Sequence, residues 1–201
     1  MFKINRNISL KFKSNSSGFT LIELLVVIII LGFVGAISVG IISSALRSSN
    51  KSAAVNNIRQ NGNYVLSQMT KMIAYTPEFK GVCGSPADCT LSSSYTVSCS
   101  DSGTSYDHLK IINPDGGETV FVCDLANNTI ASVSAASNSP LTNTSDMKVT
   151  SCSFHCASFD STVSPTISIA FTLTSNGTLA ENKAEISFET SVKPRNNPGG
   201  P

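Results

Sequence analysis

The sequence predicts an α+β fold, a long N-terminal helix packed on an antiparallel β-sheet head, and three observations carry that prediction. An apolar run follows Gly18, with no charged residue from Leu24 to Ile42. Beyond it Val55, Ile58, Gly62, Val65, Met69, Met72 and Thr76 alternate steps of three and four, which puts them on one stripe of a helix. After Pro77 the chain turns to short β-branched stretches between turn residues. At 201 residues it has room for one ordinary domain and an added element, but not for two large cores.

Residues 1–18 read as an address rather than a folded part. Lys3, Arg6, Lys11 and Lys13 precede Gly18, and no acid does. A secretory signal places its apolar core before the cleavage point and loses it, whereas the only long apolar run here follows Gly18. About 20 such residues cross a hydrocarbon core as a helix, so residues 19–43 are expected to span a membrane. The leader cations, weighed against Arg47 and Lys51 beyond the run, favour an N-terminus in the cytoplasm and a head outside. Residues 44–76 continue as an amphipathic half: Arg59, Gln60, Asn63, Gln68 and Lys71 fall largely off the apolar stripe, and Pro77 ends the pattern. A helix over the whole stretch would be about 85 Å long, far beyond the globular average. Met69 and Met72 are expected to pack against a sheet. Gly32, Gly35 and Gly40 would permit close helix packing or local loosening.

Glu23 stands out in this run. An acid near the end of a span can sit at headgroup level at little cost, but one inside the bilayer needs a partner. The surrounding Gly18-Phe19-Thr20-Leu21-Ile22-Glu23, behind a basic leader and ahead of an apolar run, closely resembles the processing site of type IV prepilins and the related pseudopilins of type II secretion and competence systems. The resemblance implies that a membrane-embedded prepilin peptidase cuts after Gly18, that Phe19 becomes N-methylated, and that the apolar helix is retained. The new amine would lie one turn from Glu23, about 6 Å along the axis. Pairing the two, within a chain or between staggered subunits, lowers the cost of burying the acid; the family reading prefers the second and gives Glu23 an assembly role. The implied partners are other pilin or pseudopilin subunits, the prepilin peptidase, a membrane assembly platform and the lipid bilayer. The implied destination is an extracytoplasmic or cell-surface filament. The family often carries a helix-breaking proline where this chain has Gly40.

For the head, residues 77–193, strands are expected at Tyr95–Ser98, Leu109–Ile112, Thr119–Asp124, Met147–Cys152, Thr166–Thr174 and Ala184–Val192. Asn113-Pro114-Asp115-Gly116-Gly117 supplies turn chemistry for one hairpin, and Asn176-Gly177 opens a second. Thr166, Ser168, Ala170 and Thr172 alternate with Ile167, Ile169, Phe171 and Leu173, so one face of that strand should be buried. The small, polar stretch Ala131–Asp146 reads as a long loop, and residues 194–201 as a disordered tail. "AEISFETSVKPRN" resembles the closing strand of minor pilins and pseudopilins, which, with the cysteine-rich head, favours a minor subunit over a major one.

Six cysteines, Cys83, Cys89, Cys99, Cys123, Cys152 and Cys156, all fall on the side expected to be outside. An even count in an oxidising compartment suggests disulfides, with the connectivity left open. The zinc alternative at Cys152, His155 and Cys156 lacks a second pair at ligand spacing. No nucleophile elbow surrounds any serine and no glycine-rich phosphate loop appears, so no enzyme, cofactor or small-molecule substrate is expected; His108 beside Asp107 reads as a loop residue at a strand entrance. Once the four leader cations are set aside, ten basic residues face thirteen acids, a balance that gives no support to a phosphate-binding surface. Lys110, Lys148 and Lys183 are too scattered to form one. The rival function is a filament-tip binding module, an adhesin or a DNA-uptake pilin.

Overall fold

The computed structural model describes residues 18–84, 99, 104–135, 137–157, 164–177 and 183–195. Two compact units divide the chain, Met1–Ala45 and Leu46–Pro201, and the helix α1, Leu21–Ala74, contributes to both. In the first unit every residue from Gly18 to Ala45 is exposed. The helix there is long and apolar enough, by length and composition, to cross a membrane. Exposed Leu, Ile and Val cost about 25 cal/mol per Å² in water, so this stretch calls for lipid or protein around it.

In the second unit α1 buries Ile58, Gly62, Val65, Met69 and Ile73, and Thr76 is buried just past its end. Val55 and Met72 are only half-buried. At 3.6 residues per turn a strict three-four stripe drifts, and four turns beyond Ile58 the inward position falls between Met72 and Ile73. Ile73, absent from the expected stripe, takes the deeper place. Gly62 is required by a close approach, since a Cβ there would land on the Phe188 ring. That ring cannot easily yield, because it stacks on Phe171 with centroids 5.2 Å apart. Gly62→Ala raises helix propensity by about 1 kcal/mol, yet it should destabilise the head by about 1–3 kcal/mol through overpacking. A lower urea midpoint for the full-length variant in detergent is the expected reading; a raised one would mean that Phe188 moves aside freely.

The strands β1 (Glu78–Cys83), β2 (His108–Ile112), β3 (Glu118–Asp124), β4 (Thr129–Ser134) and β5 (Asn138–Pro140) form one antiparallel meander. A second contains β6 (Met147–Ala157), β7 (Thr166–Ser175) and β8 (Glu185–Val192). The α+β class holds, with the sheet divided in two. The hairpin between β2 and β3 turns at the expected residues: Asn113 N–H donates to the Gly117 carbonyl at 2.7 Å, and Gly116 takes a φ of 82° that only glycine adopts freely. Ile167, Ile169, Phe171 and Leu173 are buried and their alternates half-buried. These join Leu109, Ile111 and Phe121 of the first sheet and the inward face of α1 in one apolar cluster.

Three expectations need correction. Ala131–Asp146 is not one loop, because β4 and β5 occupy part of it, pairing Ala131 with Pro140 and Val133 with Asn138. Thr129, Ile130 and Val133 give β4 a strand signal that the surrounding serines and alanines dilute, and its pairing with β3 from Thr129 to Ser134 completes the strand. Strand β1 was not expected at all; its sequence Glu78-Phe79-Lys80-Gly81-Val82-Cys83 lacks a β-branched run, and its register shifts between Phe79 and Gly81, leaving Lys80 as the extra residue. Pro194 and Arg195, expected in the tail, are instead fixed. Pro194 is buried, Arg195 N–H donates to the Ala74 carbonyl at 2.9 Å, and its guanidinium lies 5.6 Å from the centre of the Tyr75 ring. The last carbonyls of a helix need donors from outside it, and Arg195 supplies one. The expected strand Tyr95–Ser98, Cys89 and residues 196–201 lie outside the described residues.

Candidate functional site

The start of α1 is set by Thr20. Its carbonyl accepts the N–H groups of Glu23 and Leu24 at 3.1 and 3.2 Å, and its hydroxyl accepts from Glu23 N–H at 3.3 Å. These are donors a helix otherwise leaves unsatisfied, and threonine is among the residues best able to satisfy them. Glu23 stands three residues after the cap, the spacing of a capping box, with its carboxylate at the positive end of the helix dipole. The Thr-x-x-Glu pattern was in the sequence, and it assigns Thr20 a place the sequence analysis did not give it.

Gly18 and Phe19 precede the helix in non-helical backbone. Phe19 is exposed. A Cβ added at Gly18 would meet nothing within 4 Å. The described part of the chain therefore leaves room for a side chain at this position. Gly32, Gly35 and Gly40 are equally open.

Residues 13–39 match the prokaryotic N-terminal methylation motif, so the chain carries the signature of prepilins and pseudopilins. That motif supports a type IV pilin or pseudopilin precursor, a structural protein rather than an enzyme. It implies processing by a prepilin peptidase and assembly with other pilins. With one apolar N-terminal helix, it fits a single-pass membrane protein that later enters a surface filament. No curated protein and no solved structure matches the chain.

In the head, Cys99 is bonded to Cys156 and Cys123 to Cys152, with Cα atoms 5.0 and 5.6 Å apart. Cys83 is also disulfide-bonded. Cys152, Phe154 and Cys156 share one face of β6, so a single strand receives both described bridges, and the Cys123 bridge ties the two sheets together. Backbone bonds reinforce the seam: Tyr106 and Phe154 exchange N–H···O bonds at 2.9 and 2.7 Å, and Val149 N–H donates to the Asn128 carbonyl at 3.1 Å. With Cys152 and Cys156 bonded to other cysteines, their thiolates are not open to zinc. His155 lies 3.3 Å from the Ser105 hydroxyl.

His108 is the first residue of β2, but buried, with Nδ1 2.6 Å from Asp107 Oδ1. Asp124 is held below the usual carboxylate range, chiefly by the Asn127 side-chain amide, which donates to it at 2.6 Å. Lys110 departs furthest from its expected surface position. It is only 2% exposed, with its ammonium 3.0 Å from Glu118 Oε2. The register explains the pair: Ile112 faces Glu118 and Lys110 faces Val120, so Lys110 and Glu118 are diagonal neighbours on one side of the hairpin. A scan for basic surface clusters could not find a lysine spent inside the fold.

Proposed function

We propose that the chain is a subunit, of the minor kind, of a type IV pilus or pseudopilus, stored in the membrane as a prepilin and built into a helical filament through its N-terminal helix. The methylation motif, set on a helix that begins two residues after Phe19, is the observation that carries this reading. In this reading residues 1–18 are removed, residues 19–43 lie in the bilayer, and residues 44–76 join the head. Gly18 is the residue the peptidase reads, the Phe19 amine is the methyl acceptor, and Glu23 pairs with the amine of a neighbouring subunit. The disulfide-braced head and the resemblance of its closing strand support a minor rather than a repeating subunit.

Mass spectrometry of the protein from cells that contain the peptidase should find an N-methylated Phe19 at the mature N-terminus. Gly18→Ala should be cut more slowly, and a larger residue at position 18 scarcely at all; the chain itself has room for either, so the loss would lie with the peptidase. An intact Met1 terminus in such cells would refute the assignment.

A further inference from the structure

The structure assigns Asn176–Gly177 as a modification site gated by folding, where the side-chain amide is lost spontaneously from an unfolded head and retained in a folded one. It stands apart from the filament reading. Three consecutive carbonyls carry the argument. Asn176 N–H donates to the Asp146 carbonyl at 2.9 Å, and its side-chain Nδ2 donates to the Thr144 and Ser145 carbonyls at 3.0 and 3.1 Å. The turn that presents them is held by its own side chains: Asn143 Nδ2 donates to Asp146 Oδ2 at 2.9 Å, and Ser145 N–H to Asn143 Oδ1 at 3.1 Å. One residue at the end of β7 thus closes onto the turn before β6. Its Oδ1 is buried without a hydrogen-bond partner among the described residues.

An asparagine followed by glycine is the dipeptide most open to deamidation, because no Cβ hinders the following nitrogen. The backbone nitrogen of Gly177 gives up its proton and attacks Cγ of Asn176, forming a C–N bond. The Cγ–Nδ2 bond breaks and Nδ2 leaves as ammonia, taking up a proton. Water then opens the cyclic imide at either carbonyl, leaving aspartate or its β-linked isomer, with no change in oxidation state. In the folded head Nδ2 is anchored by two acceptors, so Cγ cannot swing toward Gly177 until both bonds open. Once made, the product cannot take the old place. A carboxylate has no donors for the Thr144 and Ser145 carbonyls and sets a negative charge against both oxygens at a half-buried residue. A head that reacts before it folds is permanently barred from closing this contact.

The full-length chain in detergent supplies the test. Oxidised folded protein and reduced protein in urea are held at the same mildly alkaline pH and temperature, and the peptide containing Asn176 is followed by mass spectrometry. Conversion in the folded sample should be at least about tenfold slower, the ratio for a local opening that costs roughly 1.4 kcal/mol. The chain's other Asn-Gly pair, Asn61–Gly62, serves as the internal reference for reactivity in urea; it lies within α1, where Asn61 Nδ2 donates to the Asn57 carbonyl at 3.1 Å. Equal rates at Asn176 in the two samples would overturn the gating. Gly177→Ala should slow the reaction in urea, and an unchanged rate there would overturn the cyclic route. Asn176→Asp should lower the urea midpoint of the head, and a wild-type midpoint would overturn the claim that the amide cannot be replaced.

Discussion

Replacing Glu23 with alanine is expected to leave the subunit in the membrane and keep it out of the filament. Removing a carboxylate makes the span more apolar, so insertion should be at least as good as before. Two roles compete for this residue, and their magnitudes separate them. As a first-turn acid after the Thr20 cap, Glu23 contributes about 0.3–1 kcal/mol through the helix dipole. As the buried partner of a neighbour's Phe19 amine, its removal leaves a charge unpaired at a cost of about 3–5 kcal/mol. The first loss would hardly change incorporation; the second would nearly abolish it. Glu23→Asp should be intermediate, because the shorter side chain keeps the charge but reaches less far. The measurement needs cells with the whole assembly machinery and head-tagged subunits counted in membrane and sheared-filament fractions. Equal incorporation of Glu23→Ala would reduce the residue to a helix-start charge.

The paired change Cys123→Ala and Cys152→Ala is expected to cost the head about 3.5 kcal/mol, the loop-closure value for a bridge spanning 29 residues. Few single features of a domain this size stabilise it more. The cost should appear as a lower urea midpoint of the oxidised full-length protein. It should be accompanied by faster hydrogen exchange at Tyr106, Val149 and Phe154, whose N–H groups bond across the seam between the two sheets. Alanine avoids placing a hydroxyl at Cys123, which is buried, and at Cys152, which packs half-buried against the same core. An unchanged midpoint would show that the backbone seam and the apolar cluster hold the sheets together without the bridge.

Much of this protein was legible in its sequence, because local rules govern those parts. An uncharged run long enough for a bilayer, the Gly18–Glu23 signature, a helix ended by Pro77 and a hairpin at Asn113–Gly117 each depend on residues adjacent in the chain or one helical turn apart. The α+β class follows from the change of period after Pro77. Tertiary structure decided the rest, for reasons that no window of sequence contains. Strand β5 exists through pairing, since Asn138-Ser139-Pro140 has little strand preference of its own, whereas β4 carries Thr129, Ile130 and Val133 and its pairing with β3 fixes where it ends. Lys110 became an interior residue through the register of a hairpin that set Glu118 beside it. Gly62 is needed because Phe188, 126 positions away in the sequence, rests on the helix at that point. Cys123 meets Cys152, and Asn176 meets three carbonyls before β6, because folding brings separate segments within bonding distance. Local preferences set which elements can form, while partners distant in sequence set the contacts that fix them in place.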